Sequence, residues 1–359
     1  MEGGGAERQL TYLARGLRDV GCEVHVALQH EGPNLAALAD AGATIHRLGL
    51  RGNHDVRLVG RLLRIISAVR PDVVQCWLTQ MQIAGGTAAM LARRPWIFSE
   101  RSSGIAYPPG VKNTVRARIG SRASAIVSNS AEGDRYWAPR VGRAWRYVIP
   151  NGLPLGEIAV VTPAPRGEMD LDPDEAFLLF AGRLDEKKNA RTFVHALSRV
   201  RPAVPFRAMI CGQGPQSVDI ERLIAGLGLQ ARVQLIGYTS GLWRLMKRAS
   251  VLVSTSRCEG HPNVVLEAMA CGCPLVVSDI PAHREFLDED SAMIVSVEDA
   301  AGVARSIEQV LERPTEAAAR ARVARVRAES YSVARMAQQY ARVYEEVLSG
   351  SGRQAAIVV

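Results

Sequence analysis

The chain has 359 residues and a formal net charge of +8, with 47% hydrophobic and 22% charged residues. That length exceeds one ordinary core and fits two domains at about 150 residues each, and the composition is that of a folded globular chain rather than a disordered one. No run of about 18 apolar residues lacks a charge, and MEGGGAERQL contains no apolar targeting core, so the sequence reads as neither membrane-spanning nor secreted and predicts a cytoplasmic protein.

A helix-like stretch, EGGGAERQLTYLARGL, opens the chain, and apolar runs follow at 22–29, 43–50, 71–78, 95–100, 124–130 and 146–150. Such runs alternating with helical spacing predict parallel strands covered on both faces. A glycine-rich turn in a doubly wound lobe normally follows an opening strand, yet only Met1 and Glu2 precede Gly3. That strand is therefore expected to be missing, and a start further upstream is expected to raise solubility and melting temperature. Residues 1–160 hold 20 Lys and Arg against 12 Asp and Glu, so this half carries the whole surplus of positive charge. In VKNTVRARIGSR (111–122), Val111, Val115 and Ile119 form a stripe among Lys112, Arg116, Arg118 and Arg122. This pattern suits either a packed helix or one lying on an anionic membrane surface. Nucleic acid is excluded as a partner, since no aromatic cluster accompanies the basic residues.

The segment 151–175, rich in Pro, Gly and acids, reads as a linker; its DLDPD carries D-x-D spacing but lies outside any sugar-binding strand, and no metal is expected. Beyond it, strands are predicted at 176–182, 206–212, 233–238, 251–256, 274–279 and 292–297, alternating with helices. The fold class is α/β, with two Rossmann-like doubly wound domains. They span 1–160 and 161–330, and a helix and tail at 331–359 are expected to pack back toward the first. The six cysteines lack the spacing of a metal or disulfide framework and read as buried free thiols.

In α/β sheets ligands sit at the carboxyl ends of strands. The stretch SRCEGHPNVVLEAMACGCP (256–274) is such a strand end: Pro262 or Asn263 opens a helix that Gly272 closes. Gly260 lets a ligand approach the backbone, and the helix start attracts an anion. Glu259 and Glu267 then become acceptors for ligand hydroxyls beside a phosphate, as a sugar nucleotide requires.

EGHPNVVLEAMACGCPLVVSD, with seven residues between its two glutamates, resembles the signature of the family-4 retaining glycosyltransferases of the GT-B fold, glycosyl transferases group 1. The resemblance implies that Glu259 contacts the donor sugar and Glu267 the nucleotide ribose. It further implies that Gly260, His261, Pro262 and Asn263 line the donor site. AGRLDEKKN is similar to the family's G-R-L-x-x-x-K element, which gives Arg183 and Lys188 the donor diphosphate. ICGQGP places Gly212 and Gly214 near the nucleotide, GY places Tyr238 near the base, and GGGAER places Gly4 and Gly5 opposite the diphosphate. The family's first-lobe histidine has no counterpart in QCWLTQMQ, which offers Gln75 and Gln80 instead. Gln80, Glu100, Arg101 and Asn129 are expected on the acceptor side. The implied activity is metal-independent, cofactor-free transfer of a sugar, from a UDP-linked donor in the common case, to a glycan or lipid-linked acceptor of a bacterial envelope. A sugar-nucleotide epimerase, a phosphorylase and a non-catalytic sugar-nucleotide-binding protein are the alternatives. A dehydrogenase is excluded, because Arg8 occupies the third glycine position of the dinucleotide fingerprint.

Overall fold

The structure is a computed structural model that describes residues 4–50, 55, 57–104, 107–142, 145–201 and 205–349. It divides into two compact units, one formed by Met1–Gly152 with Tyr331–Val359 and the other by Leu153–Ser330.

In chain order the first unit holds α1 (Gly5–Asp19), β1 (His25–Leu28), α2 (Leu35–Asp40), β2 (Thr44–Arg47), α3 (Arg57–Val69), β3 (Val74–Trp77), α4 (Leu78–Leu91), β4 (Trp96–Glu100), α5 (Val111–Gly120), β5 (Ala125–Ser128), α6 (Ala131–Trp137) and β6 (Arg146–Val148). Its strands form two separate parallel sheets, β1-β2 and β3-β4-β5-β6. The unit is completed from the far end of the sequence.

The second unit holds α7 (Leu155–Val160), a 3-10 turn at Arg166–Met169, β7 (Ala176–Ala181), α8 (Ala190–Leu197), β8 (Phe206–Cys211), α9 (Ser217–Gly226), β9 (Val233–Gly237), α10 (Leu242–Arg248), β10 (Val251–Ser254), α11 (Asn263–Cys271), β11 (Leu275–Ser278), α12 (Pro281–Arg284), β12 (Met293–Val295), α13 (Ala300–Glu312) and α14 (Pro314–Ala328). Its parallel strands run β12-β11-β10-β7-β8-β9. Counted from β7 this is the 3-2-1-4-5-6 order of doubly wound sheets, with the order reversing between β7 and β10. Every residue of β7, AFLLFA, is buried, as a central strand covered by helices on both faces requires.

The last helix, α15 (Val333–Ser349), belongs to the first unit. Met336, Tyr340, Tyr344 and Val347 join Leu13, Leu17, Val26 and Val73 in one core. Tyr340 and Tyr344 are fully buried, each contributing about 1.5–3 kcal/mol by burial alone. Gly16 permits the contact, since a Cβ there would lie 2.7 Å from that of Ala337. Arg101 donates to the Tyr340 hydroxyl at 3.4 Å, and the Tyr344 hydroxyl donates to Gln75 Oε1.

Two expectations shift. The first unit breaks off at Gly152 rather than at 160, because α7 packs on α11, Ile158 is buried, and Lys247 donates to the carbonyls of Ala159 (2.9 Å) and Val161 (2.7 Å). The segment taken for a bare linker thus holds a helix and a 3-10 turn. On α5 the roles reverse: Val111 is 82% exposed while Arg116 is fully buried. The cation is held inside by Glu100, by Gln82 (Nε to Oε1, 2.6 Å) and by the ring of Tyr107, 3.8 Å from its guanidinium carbon.

Candidate functional site

In the second unit the loops after β7 and β10 flank the strand-order switch, where an open α/β sheet leaves a crevice. The β7 loop, Gly182–Asn189, is tied to its neighbours by backbone bonds: Gly182 N–H to Cys211 O (2.9 Å), Leu184 N–H to Gln213 O (3.0 Å) and Arg257 N–H to Lys187 O (2.8 Å). Asp185 Oδ1 accepts from the amides of Lys187 and Lys188, both at 3.1 Å, turning the chain so that Lys188 points to the β10 loop.

There Lys188 Nζ donates to Glu259 Oε1 at 2.5 Å, and the Ser256 hydroxyl donates to the same oxygen at 2.7 Å. The side chains remain 24% and 13% exposed, so the pair is sheltered yet reachable. Burial pushes the Glu259 carboxyl upward, but the Lys188 ammonium and the Ser256 hydroxyl outweigh it and hold the group below its ordinary value. Arg183, by contrast, is 68% exposed, and among the described residues its ion-pair partner is Asp185 at 3.7 Å. Its guanidinium is available to an arriving anion.

Behind Glu259 the chain turns into α11. Pro262 is the N-cap and Asn263 the first helical residue; Gly272 ends the helix at φ +71, where a side chain would be strained. Pro262 O accepts from Val265 and Leu266, closing the first turn of α11, whose dipole makes this end attractive to an anion. Gly260, His261 and Pro262 are buried beside this end, with the His261 ring edge-on to Phe286 at 5.4 Å. Glu267 is the departure: it is fully buried in the second turn, and its charge helps burial raise the Cys271 thiol to about 12.

Gly212 and Gly214 have a packing reason of their own. A Cβ at Gly212 would sit 1.8 Å from the Gly182 carbonyl oxygen, and one at Gly214 2.3 Å from that of Leu184. These glycines bring the loops after β7 and β8 into register. Tyr238, after β9, is 59% exposed.

Two residues of the site were missed by sequence. Ser256 was findable, since it ends the strand that delivers Glu259. His283 was not. It is fully buried in α12, with Nδ1 2.7 Å from Ser278 O, and among the described residues no group hydrogen-bonds its Nε2. Burial lowers its pKa, although the Ser278 carbonyl and the Glu259 charge oppose this. Its Nδ1 faces the Ser278 carbonyl, and the ring lies within electrostatic range of Glu259 and Lys188.

Of the residues expected on the first unit, Gln80 follows β3, Glu100 ends β4 with Arg101 next to it, and Asn129 follows β5. Gly4, whose amide donates to Glu7 Oε2 at 2.9 Å, and Gly5 open α1. Gln80 is half-buried in the first turn of α4. Arg101 lies over the Trp77 ring at 4.2 Å, donates to Asn151 Oδ1, and has its pKa lowered by burial. Asn129, 3% exposed, donates its amide to Glu100 O at 3.0 Å. Glu100 is turned inward: its carboxylate accepts from Arg116, the Trp137 ring N–H (3.0 Å), the Tyr107 hydroxyl (2.5 Å) and the Arg101 amide (3.0 Å). It organises the interior and presents no oxygen to an acceptor.

Parallel sheets, doubly wound order and a charged crevice at the switch point define a two-Rossmann protein of the GT-B class. The pattern described as "Glycosyl transferases group 1" matches residues 163–327, and that described as "Glycosyltransferase Family 4" matches residues 3–157. The chain belongs to the group 1 glycosyltransferases. The lipopolysaccharide core biosynthesis glycosyltransferase LpsE of Rhizobium meliloti is 29% identical over 316 residues, 86% of each chain. The putative glycosyltransferase EpsD of Bacillus subtilis is 27% identical over 186 residues, 51% of this chain and 49% of its own. The chain thus spans most of the first and about half of the second. Among solved structures, Anabaena HepE in complex with UDP and glucose superposes with a TM-score of 0.85 at 20% identity, covering 96% of both chains. The lipopolysaccharide outer core galactosyltransferase WaaB superposes at 0.70 with 16% identity.

Proposed function

We propose that the protein moves a sugar from a nucleotide-sugar donor, most directly a UDP-sugar, to an acceptor hydroxyl, with retention of anomeric configuration and without a metal. The observation that carries this reading is the meeting of Lys188, Glu259 and the start of α11 at the β7/β10 switch. On the donor, the bond from the anomeric carbon to the diphosphate breaks with its electron pair passing to a phosphate oxygen. The acceptor hydroxyl bonds to that carbon and gives its proton to the departing phosphate oxygen. Arg183, Lys188 and the α11 amides stabilise the growing phosphate charge more than the ground state. Once Lys188 turns to the phosphate, the freed Glu259 oxygen accepts the sugar hydroxyls. Tyr238 is assigned to the base. Glu267 is assigned to the ribose.

The relative LpsE, a lipopolysaccharide core biosynthesis glycosyltransferase, supports an envelope glycan as acceptor. No helix among the described residues is long and apolar enough to cross a membrane. The exposed Val111 and Val115 beside Lys112, Arg118 and Arg122 on and after α5 suit contact with an anionic lipid surface, at about 1 kcal/mol per cation. A panel of nucleotide sugars, read by thermal shift and by transfer to a membrane extract, tests the whole. One donor should protect the wild type and be turned over, and Lys188→Met should lose about 10²–10³ in turnover. Equal turnover by Lys188→Met removes the proposal, and donor consumption without any acceptor favours an epimerase.

A further inference from the structure

The turn that carries Lys188 is tied to the loop after β10 on both sides of that residue. Arg257 N–H donates to Lys187 O at 2.8 Å, and the Thr255 hydroxyl donates to Asn189 O at 2.8 Å, with Lys188 O at 3.4 Å beside it. The Arg257 side chain extends the tie. Its Nη1 donates to the Glu186 carbonyl (2.9 Å) and carboxylate (2.5 Å), while Nε donates to Glu298 Oε1 and Nη2 to Oε2 (3.3 Å). One guanidinium thus joins three segments: the loop of Lys188, the strand end that leads to Glu259, and the turn from β12 into α13.

This network suits placement better than stability. Glu186 is 72% and Glu298 53% exposed, and ion pairs so open to water contribute little to folding. It nevertheless holds two residues in a backbone conformation that side chains disfavour. Asn189 and Glu298 both lie in the left-handed region, at φ +53 and +68, which residues other than glycine keep only where their surroundings fix them. Here they fix each other: Asn189 Nδ2 donates to Glu298 Oε1 at 3.3 Å, and the Thr192 hydroxyl donates to Oε2 at 3.4 Å. Hydrogen bonding by Arg257 holds the Glu298 carboxyl below its ordinary value, which keeps it charged near neutral pH.

We propose that Arg257 is a positioning residue: through Glu186 and Glu298 it fixes the turn on which Lys188 stands, and so sets Lys188 Nζ against Glu259. A planar fork with donors on two edges fits this task, since a single ammonium cannot bridge two carboxylates and a carbonyl in one geometry. The inference rests on the transferase reading only for its effect on turnover. The placement of Lys188 is measurable without any donor.

The Glu259 carboxyl reports that placement, because against the upward push of burial the Lys188 ammonium holds it below its ordinary value. Its titration is followed by carbon-13 NMR in glutamate-labelled protein and assigned by its loss in Glu259→Gln. The other titratable neighbour, His283, is untouched by the variants. Lys188→Met should show the full upward shift, Arg257→Met a large part of it, and Arg257→Lys less. Glu298→Gln, which leaves Arg257 in place but weakens its anchor, should move the titration the same way and carries the test if Arg257→Met does not fold. On a donor that the wild type turns over, Arg257→Met should lower kcat by about 10- to 100-fold with KM for the donor nearly unchanged, and should cost nothing further in a Lys188→Met background. A merely structural Arg257 gives a lower melting temperature, an unmoved Glu259 titration and losses that multiply with Lys188→Met. Either an unmoved titration or multiplied losses overturns the proposal. If the wild type turns over no donor, the transferase reading fails, and the titration still decides the role of Arg257.

Discussion

Replacing Glu259 by Gln removes one charge from the crevice while keeping its shape and an acceptor for Ser256. Two unit charges about 4 Å apart at an effective dielectric of 20 attract by about 4 kcal/mol before desolvation is counted. Removing one member of a fully buried pair costs about 3–5 kcal/mol. Here the side chains are 24% and 13% exposed, and solvent screening lowers the expected loss to about 1–3 kcal/mol near neutral pH. The sign with pH follows from the depressed carboxyl. Its contribution is fully present above the unfolded carboxylate value of about 4.3 and is lost as pH falls through the lower folded value. Urea unfolding of wild type and Glu259→Gln, near neutrality and again below about pH 4, reads the difference directly. The gap between the two proteins should shrink at the acid end. A gap of the same size at both ends, or none at neutrality, refutes the coupling of Lys188 to Glu259 on which the site depends.

Gly212→Ala should destabilise the second unit by about 3 kcal/mol or more, because its Cβ meets the Gly182 carbonyl at 1.8 Å; Gly226→Ala, with open space around it, should gain about 0.5–1 kcal/mol, both read as urea midpoints. Arg116→Met strips the main cation from the interior carboxylate of Glu100, and a loss of about 3 kcal/mol is expected; a midpoint within error of wild type would show that the remaining donors suffice. His283 resists protonation when folded, chiefly through burial, so below about pH 6.5 the unfolded chain takes up the proton first and stability falls with pH. His283→Asn should flatten that slope between neutrality and about pH 5, where the carboxylates begin to titrate.

Local chemistry made much of the second unit legible. Proline at the α11 cap, Gly272 at its close and the apolar strands are all short-range signals, and they set Glu259 and Lys188 near the same switch point. What stayed hidden depends on partners far away in sequence. Arg116 has the spacing of a solvated face, and only the aromatic box of Phe98, Tyr107, Tyr136 and Trp137 with Glu100 explains its burial. Glu267 falls on the expected helix, yet it is fully buried there. His283 sits in IPAHREF, a stretch that reads as ordinary surface until β11 and Ser278 close around it.

The return of α15 sets a timetable for biosynthesis. Tyr340 and Tyr344 fill the core of a unit whose other segments end at Gly152, so nearly the whole second unit is translated between them. At about 5–20 residues per second this interval is about 10–40 s. Throughout it the nascent amino-terminal half exposes the greasy trough that the last helix will seal, a window in which holdase chaperones have something to grip.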